Sequence, residues 1–152
     1  VEDEELIVNF LDILENHKML VENSGLLTVA ALKHLDCKGK RVVSILSGGN
    51  MDIITLSSVV QHGLIARGRV FTVAVQLPDR PGELVNVADI IAKEKGNVIR
   101  LEHNQFVSIN RNAAVELRIT LEAFGQEHKN EILKALRDKG YDAKEETPTG
   151  MY

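Results

Sequence analysis

The sequence has one cysteine, no cluster of cysteine and histidine at zinc-ligand spacing, and no surplus of basic charge. A lone Cys37 cannot close an intramolecular disulfide, which makes a reducing, cytoplasmic setting the expectation, and the missing spacing gives no zinc site. With 18 basic and 22 acidic side chains the net charge is -4, so nothing electrostatic draws the chain to nucleic-acid phosphates or an anionic membrane, and neither is expected as a partner. The longest basic runs, Lys38-Gly39-Lys40-Arg41 and Arg67-Gly68-Arg69, are short and sit beside glycines where turns are expected. No apolar run approaches the ~20 residues that span a bilayer, and the acidic opening Val1-Glu2-Asp3-Glu4-Glu5 is the reverse of a signal peptide. Solenoid repeats and low-complexity tracts are absent. No nucleophile-elbow pattern surrounds Ser47 or Cys37, so no hydrolytic triad is read from them.

What is present is the composition of a folding chain, 44% hydrophobic and 26% charged over 152 residues, room for one ordinary domain or two small ones. The opening without methionine, directly into an acidic amphipathic helix, reads as a sequence begun in mid-protein. Leu6, Phe10 and Leu14, beside Ile7 and Leu11, give one apolar face and a helix from Asp3 to His17. A second helix is expected over Leu26–Leu35. The β-branched run Arg41 to Leu46 has the pattern of a strand buried on both faces. After Ser47-Gly48-Gly49, Asn50 is expected to cap a helix running to about His62, with Gly63 past its end. Residues 1–66 therefore read as a piece of an α/β domain.

The pattern then becomes complete. Phe71, Val73, Val75 and Leu77 alternate with Val70, Thr72, Ala74 and Gln76 as a strand with one strongly apolar face. Pro78-Asp79-Arg80-Pro81-Gly82-Glu83 turns into a helix carried by Leu84, Val87, Ala88 and Ile91, with Pro81 placed in its first turn. Asn97 to His103 is a second strand, with Ile99 and Leu101 on one side and Arg100 and Glu102 on the other. A polar loop, Asn104 to Asn112, leads to a third strand from Ala113 to Glu122. A helix over Gln126–Lys139 and a short polar strand, Tyr141 to Glu146, follow. The order β-α-β-β-α-β predicts an α+β ferredoxin-like domain, two helices on one face of a four-stranded antiparallel sheet. Residues 147–152 are expected to be a disordered tail.

Val73-Ala74-Val75-Gln76-Leu77-Pro78-Asp79-Arg80-Pro81-Gly82-Glu83-Leu84, with Lys95-Gly96-Asn97-Val98 before the second strand, resembles the ligand-sensing ACT domain over residues 69–146. Gly82 at a helix start, with unpaired N–H groups and a partial positive charge, suits a carboxylate such as that of an amino acid. By itself the turn is also readable as a plain strand-to-helix connection. The resemblance implies an effector, an amino acid or a nucleotide, held between Asp79, Arg80, Gly82 and Glu83 of one copy and Asn97, Val98 and Ile99 of another, and hence a homodimer or higher homo-oligomer. His103, at the end of a strand near that interface, is either a functional side chain or an ordinary strand-end one.

Val42-Val43-Ser44-Ile45-Leu46-Ser47-Gly48-Gly49-Asn50 resembles the strand and turn near the end of the catalytic domain of threonine and serine dehydratases, which use pyridoxal phosphate. Residues 1–66 would then be an α/β remnant of a pyridoxal-phosphate fold-type II catalytic domain. The resemblance puts the Ser47 hydroxyl at the cofactor's pyridine nitrogen and makes Ser47, Gly48, Gly49, Asn50 and Glu22 candidate cofactor contacts. Alone, Ser-Gly-Gly-Asn is also a tight turn with a helix cap, and Glu22 a surface carboxylate. Val21-Glu22-Asn23-Ser24-Gly25 resembles the family's Val-Glu-Gly-Ala-Gly segment, with Asn23 and Ser24 in place of small residues. The family's Ser-x-Lys-x-Arg-Gly motif with its Schiff-base lysine does not occur, nor does a glycine run to cradle the cofactor phosphate. The expectation is a regulatory region of a threonine dehydratase, a cytoplasmic enzyme converting threonine to 2-oxobutanoate and ammonia, with no catalysis and no cofactor binding by this chain alone. The competing reading is an ACT-like domain that only assembles subunits.

Overall fold

The computed structural model describes residues 1–104 and 115–147. It divides into two compact units, Val1–Ala66 and Arg67–Tyr152. The loop 105–112, the start of the expected third strand at 113–114 and the tail from 148 lie outside the described residues.

In the first unit, α1 spans Asp3–His17, α2 spans Asn23–Ala30 and runs on as a 3-10 turn Ala31–His34, and α3 spans Ile53–Ala66. Asp3, Glu4 and Glu5 fill the first turn of α1, where the helix dipole favours anions, and Glu5 accepts the Glu2 N–H at 2.9 Å. The apolar face packs Leu6 and Phe10 with Val21, Leu26, Ala30 and Val59. The expected helix over Leu26–Leu35 thus begins earlier and tightens at its end.

Three expectations for this unit fail. Arg41 to Leu46 forms no strand: it pairs with no ladder among the described residues, with Val43 88% and Ile45 75% exposed. A strand that hydropathy alone suggests needs a neighbour to accept its hydrogen bonds. The cap of α3 is Asp52 rather than Asn50: its carboxylate accepts the Thr55 N–H at 2.9 Å and hydroxyl at 2.6 Å. Gly63 lies inside α3, where a Cβ would stand 3.3 Å from Leu11 Cδ2 and 3.5 Å from Ile7 Cγ2. Its role is to let α3 approach α1 closely, so the helix runs on past it.

The second unit has the expected order: β1 Val70–Leu77, α4 Glu83–Lys93, β2 Asn97–Asn104, β3 Val115–Glu122, α5 Gln126–Asp138 and β4 Asp142–Glu146. The sheet order is β2-β3-β1-β4, every pair antiparallel, which is the ferredoxin-like arrangement. Phe71, Val73, Val75 and Leu77 stand opposite Leu121, Ile119, Leu117 and Val115. Val87 and Ile91 of α4 and Ile132, Leu133 and Leu136 of α5 seal that face. Each such fully buried side chain contributes about 1.5–3 kcal/mol of transfer free energy.

The opposite face behaves less simply than its polar sequence suggests. Thr72, Ala74 and Thr120 at its centre are buried, the two threonine hydroxyls 3.0 Å apart. Arg118 spans Glu116 at 2.9 Å and Glu146 at 3.3 Å, and Gln76 donates to Glu116.

In β2 the register shifts between Val98 and Arg100. Val98 and Leu101 both stand opposite core residues, Leu121 and Ile119, while Arg100 opposes Thr120. Ile99 is the extra residue of a bulge, and simple alternation, which paired Ile99 with Leu101, misses it.

Candidate functional site

In the turn after β1, Arg80 N–H donates to Pro78 O at 2.8 Å, and Gly82 has φ +94° as the residue before α4. A Cβ there would meet nothing within 4 Å. The demand for glycine is therefore conformational, since only glycine enters this region of φ without strain. Pro81 lies in the turn before α4, not in its first helical turn. Gly82 O accepts the Asn86 N–H at 3.0 Å to open the helix, and no side chain caps the helix start. Amides at such a start carry partial positive charge and suit an anion.

The turn borders a concavity of about 320 Å3 whose lining includes Asp79, Arg80, Gly82, Glu83, His103 and Val115. Asp79, Arg80 and Gly82 are exposed. Glu83 is half-buried and accepts a hydrogen bond from the Tyr141 hydroxyl at 2.9 Å. Burial, followed by this bond to Glu83, pushes the Tyr141 phenol above its usual value of 10.0. Tyr141 was missed in the sequence because it sits 58 residues from its partner. His103 is brought to the turn by the antiparallel pairing of β2.

Asn97, Val98 and Ile99 do not join this concavity. Leu77 pairs with Val115 and His103 with Leu117 at one end of the sheet, whereas Asn97 and Val70 both stand opposite Glu122 at the other. About 20 Å of strand separates the two ends at ~3.3 Å per residue. Asn97 donates to Glu122 at 3.1 Å. Val98 is 41%, Ile99 50% and Leu101 42% exposed along the edge strand β2.

In the first unit the structure brings the expected cofactor residues together. Glu22 N–H donates to Gly48 O at 3.0 Å, and the Glu22 carboxylate accepts the Ser24 hydroxyl at 2.6 Å. Gly48 has φ +79°, and a Cβ on it would overlap the Glu22 side chain at 2.4 Å. At Gly25 a Cβ would fall 1.7 Å from the Ser47 carbonyl oxygen. Glycines on both segments thus allow 20–25 and 47–49 to interlock. Ser47, Gly49 and Asn50 are exposed. A hydroxyl and a carboxylate at this turn have the donor and acceptor chemistry to hold one edge of a heterocycle. Among the described residues no group of three or more His, Cys, Asp or Glu could hold a metal, and no helix is long and apolar enough to cross a membrane.

The second unit is thus a ferredoxin-like α+β domain whose first helix begins on an uncapped, glycine-bearing turn. No family model matches the chain. It is 39% identical over 144 residues to L-threonine ammonia-lyase of Geobacter sulfurreducens and 33% identical over 145 residues to that of Thermotoga maritima, alignments covering 93% and 95% of this chain. A biosynthetic L-threonine dehydratase of Pasteurella multocida is 31% identical over 148 residues, 93% of this chain and 27% of its own. The chain spans about a third of the length of the first two relatives, 36% of each. It belongs to the threonine ammonia-lyase, or threonine dehydratase, family and corresponds to a C-terminal part of those proteins. Among solved structures it is similar to the regulatory subunit of aspartate kinase from Thermus flavus (TM-score 0.42, 18% identity, 52% of each chain). Prephenate dehydratase from Streptococcus mutans is another (TM-score 0.42, 19% identity, 50% of this chain and 40% of that one).

Proposed function

We propose that residues 69–146 are an ACT-type sensor that regulates a threonine dehydratase by binding a small amino acid between two copies of the domain. One observation carries the reading. The uncapped helix start at Gly82 and the bulged start of β2 lie at opposite ends of one sheet, so Asp79, Arg80, Gly82 and Glu83 can meet Asn97, Val98 and Ile99 only across a pair. The exposed apolar edge at Val98, Ile99 and Leu101 favours such pairing, because an unpaired edge strand invites another. The ligand's carboxylate would lie against the α4 amides and its side chain against the apolar edge. Pairing alone is equally the outcome of a purely assembling domain, so ligand binding is the discriminating property.

The parent activity in this reading is dehydration of threonine to 2-oxobutanoate and ammonia in a cytoplasmic enzyme. Pyridoxal phosphate, when bound to that enzyme, supplies the electron sink for β-elimination. In this chain Ser47 offers a neutral hydroxyl suited to the pyridine nitrogen, Glu22 braces the turn that carries it, and Gly48, Gly49 and Asn50 complete that edge. Residues 1–66 are then the remnant of the catalytic domain, and the chain alone neither catalyses nor holds the cofactor.

Calorimetric titration of the chain with isoleucine, valine, threonine and serine tests the sensor. At least one is expected to bind, and Gly82→Val should weaken it more than about tenfold, or ~1.4 kcal/mol. A folded dimer that binds none at millimolar concentration refutes the sensor in favour of assembly. Purified chain with added pyridoxal phosphate is expected to release no 2-oxobutanoate from threonine.

A further inference from the structure

Tyr141 is fixed along its whole length. At the end of α5 the Gly140 N–H donates to Arg137 O at 2.9 Å and the Tyr141 N–H to Leu136 O at 3.2 Å, the pair of bonds that closes a helix whose next residue turns left-handed. Gly140 makes that turn with φ +89°. β4 then begins with Asp142 opposite Gln76, so Tyr141 falls one step past that pair, at the end of β1 where the turn to α4 starts. Its ring packs, like Ile90, against the core of the second unit.

The hydroxyl has one proton to give, and its two partners decide where it goes. Asn86, one helical turn beyond Glu83 on α4, forms a hydrogen bond that favours the phenolate, so it donates to the phenol oxygen. The O–H is thereby committed to Glu83 Oε2 at 2.9 Å. Burial, then Glu83 itself, holds the proton on the phenol above its usual value of 10.0, which keeps the donor in place throughout the neutral range.

Glu83 and Tyr141 face different spaces. Glu83 lines the concavity at the turn with Asp79, Arg80, Gly82 and His103, whereas Tyr141 lines the groove between α4 and α5. The phenol therefore does not reach a ligand in the concavity; it acts on the carboxylate that does. A glutamate left to itself samples many rotamers, and holding one of them before a ligand arrives lowers the cost of binding.

We propose that Tyr141 is a positioning residue for the amino-acid site, fixing the Glu83 carboxylate where the α-ammonium of the ligand meets it while the α4 amides take the ligand's carboxylate. This role rests on the sensor reading of residues 69–146. It adds that the site takes the zwitterion of an α-amino acid and refuses the same acid without its ammonium, because Glu83 would then stand half-buried beside a ligand that offers it no cation.

The test is calorimetric titration of the 152-residue chain with isoleucine, valine, threonine and serine, each beside the 2-hydroxy acid that carries the same side chain. The parent chain is expected to prefer at least one amino acid over its hydroxy acid by about tenfold to a hundredfold. Glu83→Gln should bring that ratio close to one. Tyr141→Phe, which removes only the hydroxyl, should weaken the amino acid by about threefold to tenfold and leave the hydroxy acid unchanged. The double variant should match Glu83→Gln, because Tyr141 acts only through Glu83. A merely structural role would weaken both ligands together, so equal weakening in Tyr141→Phe overturns the proposal, as does an unmoved ratio or an additive double variant. A parent chain that binds amino and hydroxy acids alike overturns the ammonium contact. If none of the four amino acids binds the parent chain, the sensor reading itself fails and takes the role of Tyr141 with it; if one binds and its ratio is unmoved in Tyr141→Phe, that role alone fails.

Discussion

Lys129 lies in the first turn of α5 with its side chain only 7% exposed, and its ammonium reaches Glu145 Oε1 at 2.7 Å. Glu145 stands opposite Val73, on the helix-covered side of the edge strand β4, and is 45% exposed. The two charges are therefore unequally placed, and removing one is not equivalent to removing the other. Glu145→Gln leaves a buried ammonium with no anion. Breaking a fully buried pair costs about 3–5 kcal/mol, and water reaching the half-exposed site reduces this to about 1–2 kcal/mol. Lys129→Met keeps the apolar stem, removes the desolvated charge and leaves a carboxylate that water can solvate, so its stability should stay within about 1 kcal/mol of the parent, with either sign. Urea unfolding followed by circular dichroism, with amide exchange in β1 and β4 to isolate the second unit, reads both. The reasoning is refuted if Lys129→Met costs more than Glu145→Gln, or if the two cost the same.

Gly25→Ala should destabilise the first unit by about 2–3 kcal/mol, the cost of overpacking, because its Cβ collides with the Ser47 backbone. Gly39→Ala, with φ +73° and open space around it, should cost about 1 kcal/mol, so equal thermal shifts for the two would contradict the collision. The Thr55 hydroxyl, then its N–H, hold the Asp52 carboxyl below its usual 3.8. The stability that Asp52 gives α3 is present above that value and lost as pH falls through the lowered one, so Asp52→Asn should flatten the acid side of the melting-temperature profile, and an unchanged profile would count against the cap. At the alkaline end the sign reverses. Tyr141 keeps its proton above pH 10, and its contribution is lost as pH rises through the raised value. Absorbance titration should show a tyrosine ionising late that Tyr141→Phe removes, along with about 0.5–1.5 kcal/mol of stability.

The second unit was legible because its information is periodic and local. Alternation in Val70–Leu77 and the i, i+3, i+4 spacing of Leu84, Val87, Ala88 and Ile91 are consequences of which side chains must leave water, and the order of elements follows. The bulge at Val98–Arg100 was not legible, since an extra residue is defined by what the neighbouring strand does. Arg41 to Leu46 shows the opposite failure: its apolar residues carry a strand signal, but a strand is a relation between segments. Gly63 read as a stop because glycine ends helices more often than it lets two of them approach. For the candidate sites, Gly82 with its turn and Glu22 with Ser47–Asn50 all rest on resemblance, since the spacing of either segment alone also reads as a plain turn.

Because the helix start at Gly82 and the beginning of β2 occupy opposite ends of one sheet, a symmetric pair built on the proposed contacts holds two equivalent sites, each made of halves from different chains. In such a pair neither half would be complete in a monomer, so ligand affinity would be tied to protein concentration. A chain damaged at the turn and a chain damaged at β2 would each be silent, yet their hybrid would carry one intact site. Mixed in equal amounts and allowed to exchange, the two would recover about a quarter of the sites, half the pairs being hybrid with one good site of two.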